Sequence, residues 1–286
     1  MLDASGSNTQ GEPLAVAHAD HLTIEDLGVR FGGLVALDGF KLTLAQGDLQ
    51  GLIGPNGAGK TTVFNLITGV YRPTSGVIRL AGQRVDGLSA QQIARHGVSR
   101  TFQNIRLFGG LSVLHNLLAA GAHSRCWGLN GALGTILGLP AARQKDRELV
   151  ERALELLIFV GLQDVKDHLA TSLPYGAQRK LEIARALMMR PKLLLLDEPA
   201  AGMNPTEKEG LRQLVQRVSD SGISILVIEH DMKFVMNLCR KITVLDHGAV
   251  IAVGSPHEVQ TNAAVLEAYL GAGHTKIQNP TGGAGP

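Results

Sequence analysis

Apolar and polar positions alternate near the start of the chain. Leu22-Thr23-Ile24 and Phe40-Lys41-Leu42-Thr43-Leu44 both show a period of two, which predicts half-buried strands, with Gly32-Gly33 and Gln46-Gly47 as turns. Asp48 to Ile53 and Gly76 to Leu80 read as two further strands, the second closing on Ala81-Gly82. From about residue 104 to 181 the character turns helical. Leu149, Ala153, Leu156, Leu157 and Val160 fall on one helical face, opposite Arg147, Glu148, Glu151, Arg152 and Glu155. Strand character returns at Lys192–Asp197, Ile223–Ile228 and Ile242–Leu245. These runs are almost continuously apolar, as in strands covered on both faces of a mostly parallel sheet. The pattern predicts an α/β core with a helical insertion and no internal repeat.

Composition narrows the setting. The chain has 286 residues, 44% hydrophobic and 18% charged, enough for one or two domains with a substantial core. A net charge of +2, spread along the chain, gives no footprint for nucleic acid. Cys126 and Cys239 lie far apart without metal-ligand spacing, which fits a reduced, intracellular protein. No signal peptide is evident, and residues 1–20 and 273–286, small and polar, are expected to be disordered tails. The uncharged stretch from Trp127 to Ala142 carries several glycines and Pro140 and does not read as a bilayer span. Any membrane work must then pass through partners.

One segment carries specific chemistry. Gly54-Pro55-Asn56-Gly57-Ala58-Gly59-Lys60-Thr61-Thr62 fits G-x-x-x-x-G-K-[ST] at every fixed position, between a predicted strand and a predicted helix from about Thr62, with Gly69 as its stop. Backbone N–H groups and a helix N-terminus then converge on one point, where they hold a polyphosphate. Gly57 and Gly59 permit the curl, Lys60 is expected to bridge the β- and γ-phosphates, and the Thr61 hydroxyl to ligate Mg²⁺. Downstream, four leucines lead into Asp197-Glu198. Asp197 is placed for the Mg²⁺ shell and Glu198 for polarising a water.

Between these motifs, Leu173-Pro174-Tyr175-Gly176-Ala177-Gln178-Arg179 opens a predicted helix, Lys180–Met188. This order of motifs resembles the ATP-binding cassette family, from about Leu22 to Gly271. The resemblance implies a P-loop NTPase fold: a RecA-like core with an antiparallel β-subdomain, spanning 21–272, and an inserted α-helical subdomain at about 104–181. Leu173 and Gly176 keep the family signature Leu-Ser-Gly-Gly-Gln, whereas Pro174, Tyr175 and Ala177 depart from it. In the family this segment caps ATP held by a facing subunit. Pro174 lacks the hydroxyl that would bond the phosphate, which leaves the backbone from Gly176 onward for the task. By the same resemblance Gln103 senses Mg²⁺ and water, and His230 orients the water. Phe31 either stacks on adenine or packs in a core. Asn204 stands where an aspartate more often crosses the dimer interface.

Three runs are most similar to the ATPase subunits of bacterial branched-chain amino acid importers: Thr101–Phe108, the signature stretch continuing to Pro205, and Glu229-His230-Asp231-Met232 with Ala268-Tyr269-Leu270-Gly271. That likeness implies ATP and Mg²⁺ as cofactors, a second ATPase subunit and two transmembrane permeases. A periplasmic binding protein would be an indirect partner and the cytoplasmic face of the inner membrane the location. The 126–142 stretch then either pads the helical subdomain or lies against the permeases. Urea or amide importers and the lipopolysaccharide-export ATPase share much of this pattern. A soluble cassette protein acting on DNA or the ribosome would carry two cassettes or a long coiled coil, and a phosphotransferase would need a lid and have no use for the signature.

Overall fold

The computed structural model describes residues 20–125 and 140–274. Most of both expected tails and of the 126–142 stretch therefore lies outside the described residues. The chain begins with β1 (Asp20–Phe31), β2 (Leu34–Ala45) and β3 (Leu49–Ile53), followed by α1 (Lys60–Ile67). Next come β4 (Ser75–Leu80), β5 (Gln83–Arg84), α2 (Ala90–Arg95) and β6 (Val98–Arg100). Among the described residues three helices succeed them, α3 (Val113–Arg125), α4 (Pro140–Val160) and α5 (Tyr175–Met188), with short 3-10 turns between α4 and α5. The last part runs β7 (Leu193–Asp197), α6 (Pro205–Asp220), β8 (Ser224–Ile228), α7 (Met232–Leu238), β9 (Lys241–Asp246), β10 (Ala249–Gly254), α8 (Pro256–Thr261) and α9 (Ala263–His274).

Two sheets form. The first is antiparallel in the order β2-β1-β4-β5. The second has the order β10-β9-β3-β8-β7-β6 and is parallel except for the β9–β10 hairpin. The apolar strands behave as their sequences predict. In β7, Leu193 and Leu195 enter a core shared with the antiparallel sheet and α1, while Leu194 and Leu196 enter a second core with α5 and α6. All four are fully buried. Alternate residues of β8 divide in the same way, Leu226 and Ile228 against Ile225 and Val227. This two-sided burial explains why both strands are nearly continuous apolar runs, and the one polar residue before the acidic end, Ser224 at the start of β8, is buried and hydrogen-bonded.

In α4 the predicted face packs inward, with Ala153, Leu156, Leu157 and Val160 buried against α3 and α5. Some boundaries move. Helix α1 starts at Lys60, two residues earlier than expected, and α5 starts at Tyr175 rather than Lys180. Pro174 at the N-cap supplies a carbonyl that accepts from Ala177 and Gln178 N–H, so Tyr175-Gly176 is already the first turn. A glycine there costs little, because first-turn N–H groups lack helical partners anyway. Helix α9 runs through His274, two residues into the segment expected as tail, and β1 begins at Asp20, one residue inside the other.

Candidate active site

Parallel strands of an α/β sheet present their C-terminal ends on one edge, and the functional loops grow from that edge. Here β3 leads into residues 54–59, β7 into Asp197-Glu198, β8 into Glu229-His230 and β6 into Gln103. Because β8 lies between β3 and β7, its loop falls between the phosphate-type loop and the acidic pair.

The loop geometry needs its glycines. Gly54 has φ 152°, and a Cβ there would sit 1.9 Å from the Leu245 carbonyl oxygen. Gly57 and Gly59 also have positive φ, and Gly59 is the N-cap of α1 with no side chain spent on the first N–H groups. A bare helix start of this kind attracts anions. The buried Lys60 ammonium donates to the Gly54 and Pro55 carbonyls at 2.7 and 2.8 Å, which lays it across its own loop. Burial pushes its pKa down, while Glu198 and Asp197 pull it back up. Pro55, Asn56, Ala58, Thr61 and Thr62 complete the turn and the first helical turn, with Asn56 and Thr61 exposed.

At the acidic end, three predicted residues meet. Gln103 Nε2 donates to Glu198 Oε2 at 2.8 Å, and His230 Nδ1 lies 3.5 Å from the same oxygen. Glu198 is held in the left-handed region at φ 45°, costly for a residue with a Cβ, and its N–H donates to the Ile228 carbonyl at 2.9 Å. Asp197 is more enclosed. Its Oδ2 accepts from Arg100 Nη2 at 2.6 Å in a pair whose side chains are only 7% and 9% exposed. Thr61 hydroxyl, Gln103 amide and Asp197 carboxylate are hard oxygen donors of the type Mg²⁺ takes. Among the described residues no three His, Cys, Asp or Glu side chains gather into a metal cage. A site completed by phosphate oxygens and water suits that donor set.

Other predicted residues stand apart from this centre. Phe31 ends β1 at 43% exposed, edge-on to Tyr71 with ring centroids 5.0 Å apart. This pair is a surface step rather than a core contact. Asn204 caps α6 in a reciprocal box with Glu207, at 2.9 and 3.0 Å. Gly176 abuts that box, since a Cβ on it would lie 2.8 Å from Glu207 Oε1. Gln178 Nε2 closes back onto the Leu173 carbonyl at 2.8 Å. Among the described residues no hydrogen bond joins Pro174, Tyr175, Gly176, Ala177 or Gln178 to residues 54–62.

Several residues that pattern reading passes over hold this constellation together. Glu229 is fully buried and accepts from Ala200 N–H at 2.7 Å and His230 N–H at 3.1 Å, so it ties the loop after Glu198 to the loop that carries His230. Desolvation raises its pKa. Arg179 and Glu182 form a buried pair on α5 at 3.1 Å and bond the backbone of Phe102 and Gln103. Arg100 stands between Ser99 and Thr101 and Arg179 between Gln178 and Lys180, so no local pattern marks either as buried.

The model of the ABC transporter family matches residues 37–201. The chain belongs to the ABC transporter family. A second model, described as branched-chain amino acid ATP-binding cassette transporter, matches residues 249–275 of this cassette ATPase, over β10, α8 and α9. The cassette is 46% identical over 251 residues to the high-affinity branched-chain amino acid transport ATP-binding protein BraF of Pseudomonas aeruginosa, covering 87% of this chain and 97% of that one. It is 45% identical over the same length and shares to the LivG protein of Escherichia coli K12, which has the same description. Among solved structures, a cassette of an ABC transporter in its ADP conformation superposes with a TM-score of 0.77 at 31% identity, covering 88% of this chain and 99% of that one. Nucleotide binding and ATP hydrolysis are therefore the activity of this cassette. No helix among the described residues is long and apolar enough to cross a membrane.

Proposed function

We propose that this chain is the ATP-hydrolysing subunit of an importer of branched-chain amino acids, on the cytoplasmic face of a bacterial inner membrane. The observation that carries the catalytic reading is the convergence of Gln103 Nε2 and His230 Nδ1 on one oxygen of Glu198. With Oε2 so engaged, Oε1 is left to accept a proton from a water attacking the γ-phosphorus, and His230 and Gln103 fix that water's line of approach. Residues 54–62 bind the phosphates through backbone N–H groups. For this, Lys60 swings from the Gly54 and Pro55 carbonyls to the β- and γ-oxygens. Thr61, Asp197 and Gln103 would hold Mg²⁺, which would supply charge neutralisation at those oxygens. Phe31, with Tyr71 beside it, offers a flat face to adenine.

The signature segment opens a helix and, among the described residues, makes no hydrogen bond to residues 54–62, which supports a role at the nucleotide of a facing cassette. We assign residues 21–272 to the cassette, about 104–181 to the subdomain that moves, and Asn204 to the interface between subunits. A second ATPase and two permeases complete the machine, and a binding protein delivers cargo from outside. Two nucleotides favour closure only while their γ-phosphates remain, so hydrolysis resets it. The 249–275 match favours branched-chain amino acids over the sister cargoes. Uptake of labelled leucine in cells lacking this chain is the test. Uptake should be lost and be restored by the native chain but not by Glu198→Gln. Undiminished uptake would remove the cargo assignment.

A further inference from the structure

The third signature position carries Tyr175, where the family pattern has a bare glycine. Its hydroxyl accepts from Arg179 Nη2 at 2.9 Å, and its ring lies against Gly202, where a Cβ would be 3.6 Å from Tyr175 Cε1. The Arg179 guanidinium, 3% exposed, also donates from Nη1 to the Phe102 carbonyl at 2.8 Å and from Nη2 to the Gln103 carbonyl. Glu182 fixes the guanidinium at 3.1 Å and accepts from Phe102 N–H at 3.3 Å. Gln103 in turn donates to Glu198. A continuous chain of direct contacts thus runs from the first turn of α5 to the water-polarising carboxylate.

We propose that Arg179 is a positioning residue that sets Gln103 according to the state of the signature tip, with the Tyr175 hydroxyl as its link. The inference rests on the reading that this tip meets the nucleotide of a facing subunit. Tyr175 is 41% exposed at that tip, so a phosphate arriving there moves a side chain already bonded to the guanidinium. Arg179 cannot follow without carrying the Gln103 backbone, because one nitrogen holds both partners. Glu182 prevents the guanidinium from turning away. Occupation of one composite site therefore adjusts the Gln103–Glu198 contact of the other. A glycine at position 175 could not transmit this signal.

Tyr175→Phe removes only the hydroxyl and spares the ring on Gly202. In the full transporter complex it should lower kcat roughly 10-fold, the worth of one charge-assisted hydrogen bond, with the half-saturating ATP concentration unchanged. Arg179→Lys keeps the charge but cannot span both carbonyls and the hydroxyl, and should give the same split. In a Gln103→Ala background, Tyr175→Phe should have no further effect, because the effect passes through Gln103. An unchanged kcat in Tyr175→Phe, or an equal fractional loss in both backgrounds, overturns the relay. The underlying reading is tested separately. The Glu198→Gln chain should associate with a second cassette on adding ATP, and failure to associate removes the trans contact and the relay with it.

Discussion

Arg100 and Asp197 form an enclosed ion pair at the site, and removing one partner has a calculable cost. The guanidinium lies 2.6 Å from Asp197 Oδ2, donates to Asn65 Oδ1 at 2.7 Å, and sits 5.4 Å from the ring centres of both Phe64 and Phe102. Arg100→Met keeps much of the stem but strands a buried carboxylate, which costs about 3–5 kcal/mol. At roughly 2–4 °C per kcal/mol for a chain approaching this size, the melting temperature should fall by about 6–20 °C. Asp197→Asn leaves an amide oxygen for the guanidinium and should cost less, about 1–3 kcal/mol. In the double variant neither charge remains, so its loss should be smaller than the sum by about 2–3 kcal/mol. Circular dichroism melts of the four proteins measure this cycle. Mg²⁺ added without nucleotide should recover part of the loss in Arg100→Met and none in the double variant, because a cation at the carboxylate replaces the missing guanidinium. Additivity of the two single losses within about 0.5 kcal/mol would refute the buried-pair argument.

Glu198→Gln should lower ATP turnover roughly 10²- to 10⁴-fold while nucleotide still binds, measured by phosphate release and equilibrium binding on the purified complex. Fast residual turnover would dismiss Glu198 as the base. Lys60→Ala should weaken ATP binding itself, and equal affinity in a fluorescent-nucleotide titration would contradict the phosphate contact. His21 makes a pH prediction: it is buried, bonded to Ser224 at 2.8 Å, and its pKa is lowered by desolvation and then by Lys192. Below the unfolded value of about 6.5 the unfolded chain binds the proton first, so this contribution is intact above that pH and is lost as pH falls through the window beneath it. Melting temperatures across pH 5–7 should therefore fall less on acidification in His21→Gln than in the native chain, and identical slopes would contradict the assignment.

The phosphate loop and the leucine strand were legible because their chemistry is written locally. A turn with glycines at positive φ, a lysine and a hydroxyl must be contiguous, and a strand buried on both faces must be an apolar run. The start of α5 was not legible, because Pro174-Tyr175-Gly176 has loop composition and only the Pro174 carbonyl bonds reveal a first turn. Strand β5 (Gln83–Arg84) is short and exposed, and so carries no periodic signal. The caps of α2, α6 and α8 did carry one: Ser89 with Gln92, Asn204 with Glu207 and Ser255 with Glu258 are all reciprocal capping boxes. Arg100, Arg179 and Glu229 belong to another class. Their partners lie 97, 77 and 29 residues away, and a buried charge shows its purpose only when its counterpart is in place.

The departures at the signature follow one physical logic. A serine at position 174 would cap α5 with its hydroxyl, whereas Pro174 has no side-chain cap and fixes the turn through its ring and carbonyl. The Pro174 carbonyl takes the Ala177 and Gln178 N–H groups, which leaves those of Tyr175 and Gly176 at the tip for an anion. Tyr175 fills the space over Gly202 that a glycine would leave open and carries a hydroxyl to Arg179. Gly176 is the tight position of the three, because a Cβ there would lie 2.8 Å from Glu207 Oε1, and that carboxylate accepts from Asn204 N–H. Substituting Gly176 would force the Glu207 side chain to shift within the capping box of α6. The glycine thus packs the first turn of α5 against the capping box at Asn204, while Tyr175 and Arg179 join that turn to Gln103 by hydrogen bonds.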